Sequence, residues 1–501
     1  MQLLNQIVKT SGHAYLKVKA QQLPQSRRQL VDQQEKLFQK FKSRLKGTRI
    51  YNDMHLEMIT GYRDYVNQVP VYEYDFYAPY VDMICAGHED ILFKGKPVYF
   101  GLSSGTSGKD SKRVPYNEDM INVFLNGQRQ VASRLCFLET DLNVLNADRL
   151  AFGSSPKVYE ENGIPFGYIS GILSTRTPKM LKEQTYPSDE VLAVSDWNRK
   201  IDMLIEEALS KDIQIVSGIP TYIISIFEAV LEKTGKKYIR EIWPNLQLFV
   251  YAATPIKQYK ERIDNLIGRT IQYYGLYAAT EAPIGLPYSS FDITQRYLLN
   301  PDLLYSFTSV ENPADVRGIH NLKLGEPYSL NIGTPNGFVH YAMKDTIMFT
   351  EHNGHLVFEF VGRKSVAMNM AAEKVSETQI LDTVIRLKNE LNQDIKHFFV
   401  SPGSKNNKPA YCWTLFMNLE DQPNAEIISE KVDQILREIN PDYNDCREVN
   451  VIEKPYVNLM NASSLHGYFE RNRDKGQFKM KTTFNTQAEF DEFMNKNFME
   501  H

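Results

Sequence analysis

Cysteine is scarce in this chain of 501 residues, and its four cysteines form no recognisable pair. Cys85, Cys136, Cys412 and Cys446 are scattered, with no CxxC spacing among them. Disulfide frameworks and zinc sites place their cysteines in close, regular spacings, whereas isolated cysteines are typical of reduced thiols in cytosolic proteins. We therefore expect a cytoplasmic protein without a disulfide framework or a zinc site.

The sequence also lacks long apolar runs and a strong excess of either charge. No apolar run approaches the roughly 20 residues needed to span a bilayer. Residues 1–20 lack the continuous apolar core of a secretory signal. The formal net charge is −4, whereas a nucleic-acid partner normally requires a basic face. We expect no membrane span and no nucleic-acid partner, and we take a monomer as the default.

The length and the order of the apolar patterns indicate more than one domain. A chain of 501 residues exceeds the usual size of a single core. From about 80 to 300, strand-like runs alternate with helix-like stretches, which predicts βαβ units and a largely parallel sheet. From 320 to 362 the pattern changes to short strands with glycines at the turns, and after 362 a separate α+β module follows.

We therefore predict an α/β protein with two domains. The large N-terminal domain, 1–361, combines mostly parallel, helix-flanked sheets with a short-stranded β subdomain, and a small α+β C-terminal domain covers 362–501. The individual elements predicted are helices over 26–46, from 117 and from about 255, strands over 97–100, 214–216 and 246–251, and, after 362, strands over 397–400 and 410–417 and a helix over 425–439.

The segment SSGTSGKDSKRVP, from Ser103 to Pro115, has the composition of a phosphate-binding loop. Its hydroxyl groups can donate hydrogen bonds, and its glycines let backbone amides approach an anion. A Walker-type loop is excluded, because it requires a glycine where Ser103 stands and a hydroxyl where Asp110 stands. A solvated surface turn is the alternative. The candidate phosphate-binding residues are Ser103, Ser104, Gly105, Thr106, Ser107, Gly108 and Lys112.

Two later segments carry further candidate residues. In QYYGLYAATEA, from Gln272 to Ala282, a tyrosine ring could stack on a flat heterocycle, Thr280 could reach a phosphate and Glu281 could hold Mg²⁺. An ordinary aromatic core explains this segment equally well on its own. In YAMKDTIMF, Asp345 is either an edge residue or a ligand for vicinal hydroxyls, as in ribose recognition.

The combination of these motifs resembles the auxin-responsive acyl acid amido synthetases, a family within the adenylate-forming enzymes. The Ser/Gly-rich loop matches SSGTSxGxxKxxP with Lys112 in register, and YAATE matches Tyr-x-x-Ser/Thr-Glu. YAMKD lies where the family has Tyr-Arg-x-Gly-Asp, EFVGRK matches the segment joining the two domains, and GQFKMK contains the late lysine, Lys479. The flanking sequences VPVYEYDFYAPYVDMICAGHEDIL and IWPNLQLFVYAATPIKQY also fit, so the resemblance covers essentially the whole chain.

The chain departs from the family pattern at two of these motifs. Ala342 replaces the arginine and Lys344 the glycine of the third motif, although Asp345 is kept, and the second glycine of the first loop falls one position early. A relative that binds nucleotide without turnover is therefore one alternative. An acyl-CoA ligase of the same superfamily is another, because it shares the first half-reaction.

The resemblance implies an ATP-dependent ligase that forms an acyl-adenylate from a carboxylic acid and transfers the acyl group to an amine. We expect this amine to be an amino acid. It implies that residues 103–108 and Lys112 hold the phosphates, Thr280 contacts the α-phosphate and Glu281 ligates Mg²⁺. It places Tyr277 along the adenine and Asp345 at the ribose. Lys479 would bridge the carboxylate and the α-phosphate, with Lys481 as the second choice.

The resemblance further implies a mobile C-terminal domain that rotates between half-reactions. Arg363 is then a hinge and nucleotide-site candidate, with a structural ion pair as the alternative. Candidates for the acyl pocket lie between 150 and 256, and the sequence does not name the acid or the amine. These candidates are Phe152, Tyr168, Ile219, Tyr222 and Thr254.

Overall fold

The computed structural model divides into two compact units, 1–360 (the large unit) and 361–501 (the small unit). It describes residues 2–102, 112–139, 141–253, 256–292, 294–363, 368, 370, 373, 375–391, 393–406, 408–421, 423–448, 452–472, 480–484 and 486–499. None of the helices within these ranges is both long enough and apolar enough to cross a membrane.

The helices of the large unit are α1 (Gln2–Gln22), α2 (Arg27–Leu45), α3 (Arg49–Asp53), α4 (Tyr62–Gln68), α5 (Tyr74–Cys85), α6 (Glu118–Leu138), α7 (Ile169–Thr175), α8 (Lys179–Lys182), α9 (Asp189–Leu192), α10 (Trp197–Ala208), α11 (Pro220–Thr234) and α12 (Lys260–Ile267). Those of the small unit are α13 (Glu377–Leu391), α14 (Ala425–Ile439), α15 (Pro441–Glu448), α16 (Leu465–Asn472) and α17 (Gln487–Met494).

The strands up to the end of the parallel region are β1 (Tyr99–Leu102), β2 (Arg113–Tyr116), β3 (Asp148–Ala151), β4 (Tyr159–Glu161), β5 (Ile164–Gly167), β6 (Thr185–Tyr186), β7 (Ile213–Gly218), β8 (Leu248–Ala252) and β9 (Gln272–Ala278). They are followed by β10 (Pro283–Pro287), β11 (Arg296–Leu299), β12 (Leu304–Ser309), β13 (Val316–Arg317), β14 (Pro327–Gly333), β15 (Tyr341–His352), β16 (His355–Arg363), β17 (His397–Lys405), β18 (Lys408–Met417) and β19 (Tyr456–Asn461).

Local sequence signals explain where the helices begin. Ser26 and Gln29 form a reciprocal capping box at the start of α2, so the helix predicted over 26–46 is confirmed. The side chain of Asn117 accepts a hydrogen bond from the Met120 amide at 2.8 Å and caps α6. Helix α14 has the predicted bounds. The helix expected from about 255 begins later, as α12 at Lys260, and Pro255 lies outside the described residues.

The large unit is organised around a sheet of 12 strands in the order β13-β12-β14-β15-β16-β11-β10-β9-β8-β7-β3-β6. At one end, β6, β3, β7, β8 and β9 are all parallel, as the alternating pattern predicts. From β9 onward the pairs β9–β10, β10–β11, β11–β16, β14–β15 and β12–β14 are antiparallel. The predicted α/β class is confirmed, and the region expected to have short strands contains β15, which is 12 residues long.

The antiparallel half of this sheet is strongly curled. Strands β9 and β15 are separated by β10, β11 and β16, and neighbouring strands lie about 4.8 Å apart, so a flat sheet would keep them far from contact. Tyr277 of β9 nevertheless contacts Asp345 of β15 directly. Gly285 permits the curl, because a Cβ there would lie 2.9 Å from the Cβ of Tyr277.

A second sheet, in the order β2-β1-β5-β4, carries the Ser/Gly-rich segment as the connection between β1 and β2. Strand β1 pairs antiparallel with β2 and parallel with β5. Gly101 is required in β1, because a Cβ at this position would collide with the ring and hydroxyl of Tyr116. The predicted strand over 97–100 is therefore present, shifted by two residues to Tyr99–Leu102.

The small unit has a three-stranded sheet in the order β17-β18-β19. Strands β17 and β18 form a long hairpin, and β19 adds to β18 in parallel. Helices α13 and α14 pack over one face of this sheet around Trp413, and a second cluster around Phe399 covers the other face. The strands predicted over 397–400 and 410–417 are confirmed.

Candidate functional site

The turn between β9 and β10 places Thr280 and Glu281 at the carboxyl end of the parallel strands. The Ala279 amide donates to the Ala282 carbonyl at 2.9 Å, which leaves Thr280 and Glu281 at the tip of a tight hairpin. Both side chains are buried. The Tyr116 hydroxyl donates to the Thr280 carbonyl at 2.6 Å and fixes the turn to the second sheet. Crevices at the carboxyl ends of parallel strands are the usual binding sites of open α/β sheets.

Glu281 faces two groups that suit a carboxylate. The Tyr341 hydroxyl donates to Glu281 Oε1 at 2.9 Å, and Lys112 Nζ lies 3.9 Å from the same oxygen. Lys112 Nζ also donates to the Tyr341 hydroxyl at 3.0 Å. Burial, followed by the Glu281 charge, raises the pKa of Tyr341 well above its ordinary value, so Tyr341 remains a protonated donor.

The side chain of Lys112 lies between two tyrosine rings. Its Nζ is 5.3 Å from the centre of the Tyr74 ring and 5.7 Å from that of Tyr341. The Tyr74 hydroxyl accepts from the Arg113 amide and donates to the Arg113 carbonyl, both at 3.0 Å. Tyr74 begins α5, so the helix and the β1–β2 connection are joined at the residue after Lys112.

Asp345 is buried and accepts a hydrogen bond from the Tyr277 hydroxyl. The register between β14 and β15 shifts here: Ser329 pairs with Thr346 and Asn331 with Ala342, which leaves three residues of β15 as a bulge. Such bulges re-aim side chains next to active sites. The ring of Tyr277 lies 5.9 to 6.1 Å from those of Tyr297, Phe358 and Phe360. The structure therefore brings together the second and third motifs, which are 68 residues apart at this bond.

The bulge explains why the family pattern has a glycine where this chain has Lys344. Lys344 has φ of 62°, in the left-handed region that favours glycine. Its Nζ forms an ion pair with Glu73 Oε2 at 2.7 Å. The Ala342 amide donates to the Tyr72 carbonyl at 2.8 Å. The two substitutions therefore leave Asp345 buried and bonded to Tyr277.

Behind Tyr341, a buried polar network holds the start of β15. His340 is fully buried; its Nδ1 lies 2.8 Å from the Val69 carbonyl and its Nε2 contacts the Ser306 hydroxyl. Burial lowers the pKa of His340 to about 4, so the ring is neutral at pH 7. The Nδ1 atom then donates to the carbonyl, and the Ser306 hydroxyl donates to Nε2.

The parallel strands contribute an apolar group at the same edge of the sheet. Phe152 follows β3, and Tyr222 lies in the first turn of α11 after β7. The rings of Phe152, Trp197 and Tyr222 lie 5.6 to 5.8 Å apart. We call these three residues the aromatic triangle. Two of them, Phe152 and Tyr222, are among the pocket candidates predicted from sequence, whereas Trp197 is not.

Of the other pocket candidates, Tyr168 directly precedes α7 and Ile219 directly precedes α11. The remaining predicted residues fall into two groups. Ser103, Ser104, Gly105, Thr106, Ser107, Gly108, Thr254 and Lys479 lie outside the described residues. Arg363 is the last residue of β16, and Lys481 forms an ion pair with Glu489 and lies 4.5 Å from the Phe484 ring centre. Within the described ranges, no cluster of three or more His, Cys, Asp and Glu side chains is arranged to hold a metal.

Sequence reasoning missed Tyr74, Tyr116 and His340, and gave Tyr341 no role. Tyr74 belongs to the segment VPVYEYDFYAPY, which was identified only as flanking sequence. Tyr74 and Tyr77 of this segment bond to positions more than 30 residues away along the chain, and no local periodicity reports such contacts.

Comparison with known proteins agrees with this geometry. Residues 19–229 match the GH3 family N-terminal domain. The jasmonoyl-L-amino acid synthetase JAR4 of Nicotiana attenuata is 20% identical over 511 residues, covering 86% of this chain and 87% of that protein. The GH3.1 protein of Arabidopsis thaliana, a probable indole-3-acetic acid-amido synthetase, is 25% identical over 164 residues, covering 32% and 28%.

Among solved structures, the AtGH3.15 acyl acid amido synthetase in complex with 2,4-DB aligns with a TM-score of 0.78 at 16% identity, covering 97% of this chain and 96% of that one. At these identities the structural likeness establishes the fold. The resemblance predicted from the motifs is confirmed: the chain carries the GH3 family N-terminal domain over residues 19–229 and has the fold of the acyl acid amido synthetases.

Proposed function

We propose that this protein is an ATP-dependent ligase that converts a carboxylic acid to an acyl-adenylate and pyrophosphate, then transfers the acyl group to an amine with release of AMP. The amine is an amino acid in this proposal. The observation that carries it is the meeting of Lys112, Glu281 and Tyr277–Asp345 at one edge of the sheet, on the fold of the acyl acid amido synthetases. The relatives named as amino acid synthetases support the choice of acceptor.

Each described side chain has a role that follows from its setting. Asp345 is a buried carboxylate and accepts hydrogen bonds from the ribose hydroxyls, while Tyr277 orients it and lies along the adenine. Thr280, at the tip of the hairpin, donates to the α-phosphate. Lys112 provides positive charge for the phosphates held by residues 103–108. These fixed groups offset the repulsion between the carboxylate and the anionic α-phosphate.

The residues present fit a Mg²⁺ ion delivered with the nucleotide. Mg²⁺ prefers oxygen ligands and is commonly held by one or two carboxylates together with substrate phosphates. Glu281 is such a carboxylate, and its Oε1 atom lies among oxygen and nitrogen donors at the hairpin tip. When bound, the ion would neutralise phosphate charge; Glu281 holds it, and Tyr341 keeps the carboxylate oriented.

Lys479, in the sequence of the small unit, is the last residue to which the proposal gives a role. We assign it to the carboxylate and the α-phosphate during adenylation, with the small unit rotating about the segment at Arg363 between half-reactions. The ion pair of Lys481 with Glu489 favours Lys479 over Lys481 for this role, because Lys481 would have to give up that partner. A monomer in the cytoplasm remains part of the proposal.

ATP–pyrophosphate exchange across a panel of aryl and aliphatic carboxylic acids tests this function. We expect exchange with at least one acid, its loss in Glu281→Gln, and its retention in Glu232→Gln, which changes an exposed glutamate on α11. Amino acids or CoA are then added with that acid, and the product is identified by mass spectrometry. A thioester product would make the protein an acyl-CoA ligase, and nucleotide binding without exchange would contradict catalysis.

A further inference from the structure

We infer that Tyr74 and Tyr341 form an aromatic clamp that positions the ammonium group of Lys112 beside Glu281. The ammonium lies 5.3 Å from the centre of the Tyr74 ring, which is within the range of a cation–π contact. It also donates to the Tyr341 hydroxyl at 3.0 Å. The purpose of the clamp, which is to direct the ammonium group toward the nucleotide phosphates, rests on the proposed function.

One side of the clamp is fixed by two hydrogen bonds to the backbone. The Tyr74 hydroxyl bonds to both the amide and the carbonyl of Arg113, the residue after Lys112. The ring and the backbone that carries Lys112 therefore move together. Tyr74 also begins α5, so the whole helix supports its position.

The other side of the clamp is fixed by the core. Tyr341 is almost fully buried, and its ring stacks on Phe338 at 4.8 Å. A bridge between Tyr72 and Tyr341, together with the bond from the Tyr72 amide to the His340 carbonyl at 2.9 Å, ties this strand to the residues just before α5. Both rings thus depend on the same short segment, 72–77.

The clamp acts on a side chain that is 43% exposed. Lysine has a flexible four-carbon stem and a strongly hydrated charge, so an exposed ammonium samples many positions. The 3.9 Å separation from Glu281 does not by itself hold it, since exposed ion pairs are weak. The ring of Tyr74 and the hydroxyl of Tyr341 restrict the ammonium without neutralising its charge.

Two measurements test the clamp. The first is the labelling rate of Lys112 by trace acetic anhydride, read by mass spectrometry without nucleotide. We expect it to rise at least about threefold in Tyr74→Leu and in Tyr341→Phe, because a released ammonium is more accessible. The matched control is Tyr80→Leu on the same helix, whose hydroxyl bonds to Asp53, and it should label like the wild type.

The second measurement is MgATP affinity by calorimetry. Tyr74→Leu should weaken it about tenfold and Tyr74→Phe less than about threefold, because phenylalanine keeps the aromatic face. If Tyr74 acts through Lys112, the double variant Tyr74→Leu/Lys112→Met should bind no more weakly than Lys112→Met alone.

The two measurements separate the clamp from the proposed function. Unchanged Lys112 labelling in both Tyr74→Leu and Tyr341→Phe would overturn the clamp, as would additive losses of affinity in the double variant. A wild type that fails to bind MgATP would contradict the proposed function, while the labelling result would still decide whether the clamp exists. Tyr341→Phe keeps the core ring and serves if Tyr74→Leu does not fold.

Discussion

The two halves of the large sheet differ in what they bury. In the antiparallel half, polar side chains are buried along neighbouring strands, including Ser306, Asn331, His340 and Asp345. In the parallel half, across the described residues of 148–278, the buried side chains are almost all hydrophobic, with Ser154 and the Nε atom of Arg149 among the buried polar groups. Both halves have hydrophobic cores, so the difference is not one of packing alone.

This difference matches the two substrates of the proposed reaction. A nucleotide presents hydroxyls and charged oxygens, which require fixed donors and acceptors, and buried networks fix them when every member is satisfied. The apolar body of a carboxylic acid requires only shape and aromatic surface, which the aromatic triangle offers. Apart from Tyr277 of β9, which the proposal places along the adenine, we therefore propose that the antiparallel half binds the nucleotide and the parallel half binds the acid.

The largest expected effect comes from removing the buried carboxylate of the antiparallel half. Asp345→Ala should lower kcat/KM for ATP about thousandfold, because two hydrogen bonds to a charged acceptor are lost. The KM for the acid should change far less. Pyrophosphate exchange measured against each substrate in turn checks this.

The matched variant is Tyr277→Phe, which removes the partner of Asp345 but keeps the ring. Tyr277→Phe should lower kcat/KM for ATP about fivefold, since one neutral hydrogen-bond donor is lost. If Asp345→Ala raised the KM for the acid as much as it impaired the use of ATP, the assignment of the two halves would be wrong.

The next effect is a dependence of stability on pH that arises from buried histidines. Burial lowers the pKa of His340 to about 4 and that of His397, in the small unit, to about 3. The ordinary value is 6.5, so between pH 6.5 and pH 4 the unfolded chain binds a proton that folded His340 does not. The free energy of unfolding therefore falls as the pH falls through this window, by about 3 kcal/mol for His340.

Urea unfolding at a series of pH values measures this slope. Glutamine can still form one of the two hydrogen bonds of His340. His340→Gln should therefore remove the contribution of His340 to the pH dependence of the free energy of unfolding and leave that of His397. An identical pH slope in the variant and the wild type would mean that His340 is protonated in the folded protein.

Much of this arrangement could be predicted from the sequence, because its signals are local. The capping box at Ser26 and the period of α14 place those helices to within one residue. Tyr277 and Asp345 are 68 positions apart, so no local signal predicts their contact, and only the resemblance assigns both to one site.

The remainder depends on contacts that no local pattern reports. The curl that brings β9 to β15 arises from packing around Tyr277, Tyr297 and Phe358. The hydrogen bonds of Tyr74 to Arg113 and of Tyr116 to Thr280 join distant segments through tyrosine hydroxyls. In the sequence, such tyrosines look like ordinary core residues.

A smaller effect is expected from the aromatic triangle, which the proposal assigns to the carboxylic acid. Tyr222→Leu should raise the KM for the acid about tenfold and leave the KM for ATP within about twofold, since one aromatic face of the triangle is lost. Tyr259→Leu is the matched control, because it changes a partly buried tyrosine that packs against the same core cluster outside the triangle. Equal effects of the two variants would indicate general destabilisation of this core.

The smallest expected effect tests whether Lys344 disturbs the antiparallel half. Its φ of 62° costs a side-chain-bearing residue about 1 kcal/mol, which Lys344→Gly would recover. Glycine loses more backbone entropy on folding, and the variant also loses the exposed ion pair with Glu73, so these terms nearly cancel. We expect Lys344→Gly to change the free energy of unfolding by less than about 1 kcal/mol, and Lys344→Val to lower it by about 2 kcal/mol because a β-branched side chain fits the left-handed region poorly. Urea unfolding of the three proteins checks this.

If Lys344→Gly instead changed ATP affinity, Lys344 would act on the nucleotide and not only occupy the bulge that presents Asp345.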